Sequence, residues 1–525
     1  MTHQFSQVPQ AEIQRSQFDR SHGLKTTFDA GLLIPIFLDE ALPGDTFNLS
    51  MTGFARLATP IKPIMDNLHM ETFFFAVPYR LLWTNWERFN GAQDNPGDST
   101  DFTIPMVTVP PASSGGGYDP QSLGDYFGLP VGNNSSYQHS ALPQRAYQLI
   151  WNEWFRDQNL NVGTVDWDPG DTASYELNIP PYNRGKRHDY FTSCLPWPQK
   201  GEAVTVPLTG NATISVTDPY QPPTFRGGSN FNNALEMSGG TSSVQWASSP
   251  IGADQPALWD NPNLSVDLTD ITDGWTINQM REAFQLQRML ERDARGGTRY
   301  TEVIHAHFGV TSPDARLQRP EFLGGGYSPV NISPVAQTQE TDPAGQTPQG
   351  NLAAIGTASL HGHGFTKSFT EHCVLMGIVC VRADLTYQQG LNRMWSRETR
   401  YDFYWPALSH LGEQAVLNKE IYCTGAAQDE EVFGYQERYA EYRYKPSQIT
   451  GKFRSQFSTN LDVWHLAQFF TNYPQLDEPF IAEQVPLDRC IAVQDEPHFL
   501  FDAFFKLKCA RPMPLYGVPG NIDHF

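Results

Sequence analysis

Cysteine pairs, long apolar runs and an excess of positive charge are all missing from this chain of 525 residues. Its six cysteines, Cys194, Cys373, Cys380, Cys423, Cys490 and Cys509, include no CxxC pair. That excludes a zinc-type pattern and a disulfide framework, and it fits buried free thiols made in a reducing cytoplasm. The longest apolar run, CVLMGIVCV from Cys373, falls far short of the roughly 20 residues that cross a bilayer. The N-terminal MTHQFSQVPQ has neither a basic nor an apolar region of the signal-peptide kind, so a soluble, unexported protein is expected. Lys and Arg total 36 against 57 Asp and Glu, a net charge of −21, so the surface as a whole cannot serve polyphosphate. Any nucleic-acid contact must come from a local basic patch or from a basic partner.

Catalytic signatures are missing as well. Gly185-Lys186 and Gly451-Lys452 lack the upstream glycine and following Ser or Thr of a phosphate-cradling loop, and no GxSxG nucleophile elbow occurs. Acidic pairs such as Glu430-Glu431 read as solvated loop charges rather than a catalytic dyad.

What the chain does have is turn and aromatic chemistry. Gly and Pro number 42 and 40 and aromatics make up 13%, the profile of many short strands joined by long loops. LHMETFFFAV from Leu68 and FLFDAFFKLK from Phe499 read as strands. In the second, period 2 puts Phe499, Phe501, Ala503, Phe505 and Leu507 on one face and Lys506 and Lys508 on the other. CVLMGIVCVRADLTY from Cys373 is apolar on both faces at first, as a central strand is. AVTVPLTGNATISVT from Ala203 predicts a hairpin about Thr209-Gly210-Asn211, with Val204, Val206, Ile214 and Val216 alternating on either side. A capping box of Thr276 and Gln279, apolar residues at helical spacing and a Gly296-Gly297 stop predict a helix from about 276 to 295. AYQLIWNEWF from Ala146 and LDVWHLAQFF from Leu461 predict short surface helices carried in loops. Three stretches, about 105–125, 218–263 and 324–350, are loop-like by composition. Together these describe one large mainly β unit with elaborate insertions, which suits a double-sheet jelly roll.

Three groups of residues carry candidate chemistry. If the segment around His361-Gly362-His363 is a strand, period 2 places both imidazoles on one face, as a metal-dependent jelly-roll enzyme requires. No carboxylate follows at the needed spacing, and hydrogen-bonded histidines are the favoured reading. Basic residues interleaved with aromatics form the second group: Arg184, Lys186 and Arg187 beside Tyr190, then Arg438, Arg443 and Lys445 among tyrosines. Cations neutralise phosphates while rings stack on bases, so these seven are DNA-contact candidates; Arg–Tyr packing at a subunit interface is the alternative. Arg288, Arg292, Arg295 and Arg299 share that ambiguity, with Glu282 and Glu291 close enough to pair with them. A glycan-binding β module using the tryptophans of NEWF and VQW is a third reading.

Longer runs go further. FDRSHGLKTTFDAG from Phe18, LPGDTF from Leu42, FARLATPIKPIMDN from Phe54 and RGKRHDYFTSCLPWPQKG from Arg184 strongly resemble the major capsid protein of microviruses, in particular its gokushovirus branch. So do ARGGTRYTEVIHAHFGVTSPDARLQRPEFLGG from Ala294, YDFYWPALSHLGEQ from Tyr401 and FGYQERYAEYRYKPSQITGKFRS from Phe433, in the same order. The resemblance implies an eight-stranded antiparallel jelly roll, a viral capsid β-sandwich forming one domain over 1–525 with long insertions and a few short helices. It implies a homo-oligomer of sixty copies closing a T=1 icosahedral shell around circular single-stranded DNA, in a virion assembled in the host cytoplasm. The implied partners are a small basic DNA-packaging protein, scaffolding and pilot proteins, and a host surface receptor. It carries over no catalytic residue and no cofactor, and it leaves a structural divalent cation open. Residues 201–273 are the least family-like, and the resemblance implies a variable insertion there, a surface protrusion at the three-fold axes that serves host attachment. Cys194 stands where the family has a small residue such as Ala, so no thiol role is carried over.

Overall fold

Between Phe499 and Cys509 every odd-numbered residue is buried and every even-numbered one exposed, the pattern of a strand with one face on a core. Its neighbour Thr46–Leu57 follows the same alternation. Cys373–Ala383, by contrast, is buried at every position, and Leu68–Pro78 at all but one. A strand buried on both sides needs a second layer behind its sheet.

The computed structural model describes residues 14–516, apart from 165–167, 173–176, 298–299, 311–317 and 340–348. Between 203 and 276 it describes residue 204 and six short strands. The chain divides into a larger unit, Met1–Pro198 with Gly296–Phe525, and a smaller one, Gln199–Arg295.

In the larger unit nine strands form one curled antiparallel sheet: β1 (Ser16–Asp19), β2 (His22–Phe28), β3 (Ile34–Ala41), β4 (Thr46–Leu57), β5 (Leu68–Pro78), β6 (Glu321–Ala336), β7 (Leu352–Ser368), β8 (Cys373–Ala383) and β9 (Phe499–Arg511). β1 and β2 are successive pieces of one edge, both on β9. The spatial order is therefore β1/β2, β9, β4, β7, β6, β5, β8, β3. Eight positions in that order are the jelly roll, with β1/β2, β9, β4 and β7 in the first sheet and β6, β5, β8 and β3 in the second. The corner lies in β6 and β7: β6 pairs with β5 up to Val330 and with β7 from Asn331, while β7 leaves β6 for β4 at Thr357.

Between the sheets lies a core that includes Phe28, Phe37, Phe47, Phe74, Phe499 and Phe505. Each fully buried Phe stabilises the fold by roughly 1.5–3 kcal/mol. A second apolar layer covers the far face of the second sheet, where Phe75, Val77, Met376 and Ile378 meet helix α1 (Leu142–Ile150) and the π-helical turn Trp151–Phe155. Tyr147 of α1 is fully buried and donates its hydroxyl to the Leu33 carbonyl, 2.8 Å away. The stretch expected to be a surface helix is therefore the layer that closes one sheet.

Two further expectations give way to tertiary context. The Gly-rich stretch from Gly324, expected to be loop, is the body of β6 as far as Ala336. A Cβ at Gly325 would collide with the Thr72 carbonyl and one at Gly326 with the His363 ring, so the glycines serve close approach at the corner. LDVWHLAQFF is not a helix beyond one 3₁₀ turn at Asp462–Trp464. Its next amides are taken elsewhere, that of Leu466 by the Asp66 carboxylate and that of Gln468 by the Thr386 carbonyl, 2.9 Å away. The loop expected at 105–125 contains Met106–Val109, paired with Tyr137–Ser140.

In the smaller unit, helix α2 (Ile277–Arg295) occupies the stretch where one was expected, with Thr276 outside the described residues. Ile214–Val216 pairs with Leu264–Val266, and residues 205–213, on which the expected hairpin turns, lie outside the described residues. Four short strands within the expected loop 218–263 form a sheet in the order Val244–Trp246, Asn233–Met237, Thr224–Arg226, Leu258–Trp259.

Candidate functional site

The first basic and aromatic cluster folds around a carboxylate. Glu71 on β5 receives close ion pairs from Arg184 and from Arg382 on β8, and Arg187 stands 3.8 Å away. Burial opposes the charge on Glu71, but Arg184 and Arg382 outweigh it and hold the carboxyl below its ordinary range. Arg184 also lies over the Phe73 ring, 4.9 Å from its centroid. Lys186 is buried with its ammonium 4.7 Å from the Phe480 centroid, and burial depresses its pKa against the pull of Glu483 and Asp189. Burial likewise pushes the Glu483 carboxyl up to about 7, although Lys186, Arg382 and Arg184 oppose the shift. Tyr190 is buried and donates to Glu420, 2.8 Å away. Arg184, Lys186 and Tyr190 thus bind the chain to itself. Of the four candidates here Arg187 stays accessible, its side chain 43% exposed, and it pairs with Asp384 at 3.4 Å.

The second cluster is larger than the sequence reading proposed, and it lies open. Arg438 sits over Tyr439, 4.8 Å from its centroid, Arg443 pairs closely with Glu437, and Lys445 is exposed. Tyr439 holds a left-handed backbone, φ +64°, at the turn where strand Val432–Glu437 gives way to the 3₁₀ turn Ala440–Tyr442. Such a conformation in a bulky residue costs on the order of 1–3 kcal/mol. Against this turn packs the segment 393–405, which the sequence reading missed. Arg397 lies 4.4 Å from the Tyr442 centroid and 3.5 Å from Glu441, and Arg400 lies 5.1 Å from the Trp405 centroid. Trp395 is 71% and Tyr401 61% exposed, with Phe403, Tyr404, Tyr442 and Tyr444 about half exposed beside them. The signal was available in RMWSRETRYDFYW, where arginines and aromatics alternate in a run too polar for a core.

The histidine pair is separated. β7 is a strand there, but Gly362 adopts φ +70° and the register on β4 shifts between His361 and His363. This bulge turns His361 to solvent and His363 into the interior. His363 bonds Thr72 Oγ1 at 2.8 Å and Ser328 Oγ at 3.2 Å, and burial lowers its pKa. Among the described residues no three His, Cys, Asp or Glu side chains are placed to hold a metal ion. The six cysteines are free, and burial pushes the Cys373 and Cys380 thiols up to about 12, which keeps them protonated. Trp151 is buried and Trp154 donates to the Pro320 carbonyl at 2.9 Å; the side chain of Trp246 lies outside the described residues. Arg288 and Arg292 are exposed on α2, and Arg299 lies outside the described residues.

Among the described residues, the aromatic side chains of 393–405, with Tyr442 and Tyr444, are what stands most open in these groups. The family described as "Capsid protein (F protein)" matches residues 6–521. Capsid protein VP1 of Bdellovibrio phage phiMH2K is 48% identical, covering all of this chain and 98% of its relative's length. Capsid protein VP1 of Chlamydia phage 1 is 44% identical over 99% of this chain and 98% of its own, and that of Spiroplasma virus 4 is 35% identical over 99% and 97%. Matched in this way over its whole length, the chain belongs to the microvirus capsid protein (F protein) family, whose members are structural proteins of the virion and not enzymes.

Proposed function

We propose that this capsid protein is the repeating subunit of a T=1 icosahedral shell of sixty copies, assembled in the host cytoplasm around circular single-stranded DNA. The observation that carries the proposal is the open cluster of 393–405 and 438–445. Tyr, Trp and Arg are the residues enriched where protein surfaces meet, and exposed aromatics in such density mark a contact that the single chain leaves unfilled. Arg397 and Arg400 already stack on rings within the chain, which leaves the ring edges and outer faces to a neighbour. Arg438, Arg443 and Lys445 then serve subunit contact first. Closed point-group assembly asks one chain for several different patches, and long loops on a rigid sandwich supply them.

The experiment is a mass measurement on particles from the expressed chain, by native mass spectrometry or sedimentation, together with a Trp395→Ala/Trp405→Ala variant. Sixty copies are expected for the parent, and for the variant a folded subunit with particle yield reduced at least tenfold. A variant that assembles like the parent would remove the cluster from the interface.

Acidic shells of this kind need help with a polyanion. Copies at −21 each repel enclosed DNA, so a small basic packaging protein and bound cations complete the charge balance. DNA-filled particles should carry a basic protein that empty ones lack. Scaffolding and pilot proteins take part during assembly, and the smaller unit meets the host surface receptor. Deleting 218–263 should preserve assembly while impairing adsorption; loss of all particles on that deletion would contradict this assignment.

A further inference from the structure

Among the described residues of the larger unit, the side chains that β4 and β9 of the first sheet turn away from the core stand largely exposed, and they are unlike those of an ordinary exposed face. β4 presents Phe54 and Arg56, and β9 presents Leu500, Phe504, Lys506 and Lys508. Phe54 is 50% and Phe504 52% exposed. Around the rings stand small polar residues, Ser50 and Thr52 on β4 and Ser359 on β7, so the rings rise above a low floor. Thr52 is paired with Phe504 and Phe54 with Asp502, which makes Phe54 and Phe504 diagonal neighbours on adjacent strands, their backbones roughly 7–8 Å apart. Lys506 and Lys508 continue the line two residues apart on β9, and the bulge at Gly362 turns His361 onto this face opposite Thr52.

The charge of this face runs against that of the chain. Among the side chains that β1, β2, β4 and β9 turn to this face, Lys25, Arg56, Lys506 and Lys508 meet two carboxylates: Asp502, paired with Lys25 at 3.0 Å, and Asp19, whose charge is held partly by Ser21; Asp125, from the turn Leu123–Tyr126, lines the same hollow as Lys25, Arg56 and Asp502. Lys506 and Lys508 act on Asp19 only as neighbouring charges. A basic face on a chain of −21 is a local exception.

We infer that the outward face of this sheet binds single-stranded DNA without sequence preference, bases stacking on Phe54 and Phe504 and phosphates lying along Arg56, Lys506 and Lys508. The inference rests on the reading that the shell encloses single-stranded DNA. Rings standing on an exposed sheet face recruit bases whose faces are free, which a duplex does not offer, and cations flanking them track a backbone. A basic protein is repelled by this face. A second copy of the chain fits it poorly, because lysine is depleted from the cores of protein interfaces and here Lys506 and Lys508 follow Phe504 along β9.

The test uses the full-length chain with oligo(dT), read by fluorescence anisotropy over a salt series. Both variants change outward side chains, so each should keep the parental melting curve. Phe54→Ser/Phe504→Ser should weaken binding by about 5- to 150-fold for each ring lost. Lys506→Gln/Lys508→Gln should reduce the slope of log K against log salt by about 1.4. Parental affinity and slope in both variants would overturn the inference. So would equal acylation protection of Lys506 and Lys508 in empty and DNA-filled particles, which would place the face beneath a neighbouring copy. If parental particles hold no nuclease-protected DNA, the enclosure reading itself fails. If they hold DNA, and the variants hold as much with unchanged oligo(dT) binding, this face alone is wrong.

Discussion

Strand β8 is buried at all eleven of its positions, whereas β9 is buried at every second one up to Cys509. Both belong to one jelly roll and both line its core, yet among the described residues of the larger unit it is the sheet of β8 that has a helix and loop layer packed behind it. The covered sheet spends both faces on the stability of the subunit. The bare sheet spends one, and its other face is free to carry rings and cations that stability does not require. An exposed Phe is cheap in a fold whose core is complete elsewhere, and that is where function can be placed without destabilising the subunit.

The sharpest way to break this contrast is to cut the same side chain from each sheet. Phe75, on the covered face, packs against Trp154, Phe155 and Phe322, and Phe75→Ala should cost about 3–5 kcal/mol in denaturant unfolding of the subunit. Phe504→Ser should change stability by about 0.5 kcal/mol or less. Equal losses would mean that the outward face of the bare sheet is packed after all.

Next in size is the ion cluster at the end of the covered sheet. Glu71→Ala strands Arg184 and Arg382 without their carboxylate and should cost about 3 kcal/mol, measured in the same way. A neutral outcome would show the cluster to be dispensable.

Glu71 and Glu483 also give the subunit two opposed responses to pH. Glu483 is raised to about 7, so from the ordinary carboxylate value up to about pH 7 the folded state keeps a proton that the unfolded chain has released. Stability falls as pH rises through that window, by on the order of 3 kcal/mol, and Glu483→Gln should flatten the fall. Glu71 is lowered, so its contribution is present above the ordinary carboxylate value and disappears as pH falls through its folded pKa. Stability that rises across pH 5–7 in the parent would contradict the role given to Glu483.

The smallest effect belongs to the bare face. Lys25 and Asp502 are 80% and 56% exposed, and breaking their pair should cost about 0.2–1 kcal/mol, screened by salt. A larger loss would again point to a covered face.

Which of these features were legible in the sequence follows from how local their causes are. The alternation of β9 and the unbroken apolar run of β8 are set by neighbours along the chain, and both strands read correctly, as did α2 from its periodicity and glycine stop. The long motifs identified the family. Gly324-Gly325-Gly326 looked like a loop because the reason for glycine there, the Thr72 backbone and the His363 ring, is distant in sequence. LDVWHLAQFF has a helical pattern, but its amides are captured by Asp66 and Thr386. Arg184 and Lys186 looked like a basic patch because Glu71 and Glu483, their partners, stand far away along the chain. The bare sheet was half visible: the outward direction of Lys506 and Lys508 was read, but Phe54 and Arg56 join them only through strand pairing.

Electron cryo-microscopy of DNA-filled particles from the full-length chain tests the central claim most directly, since one reconstruction reports the copy number, the contacts of the 393–405 cluster and the direction of the bare sheet. The expected result is a closed shell of sixty subunits in which that cluster is buried between neighbours and Phe54 and Phe504 face the interior beneath nucleic-acid density. A shell that turns the bare sheet to the outside, or a chain that forms no closed shell, would contradict it.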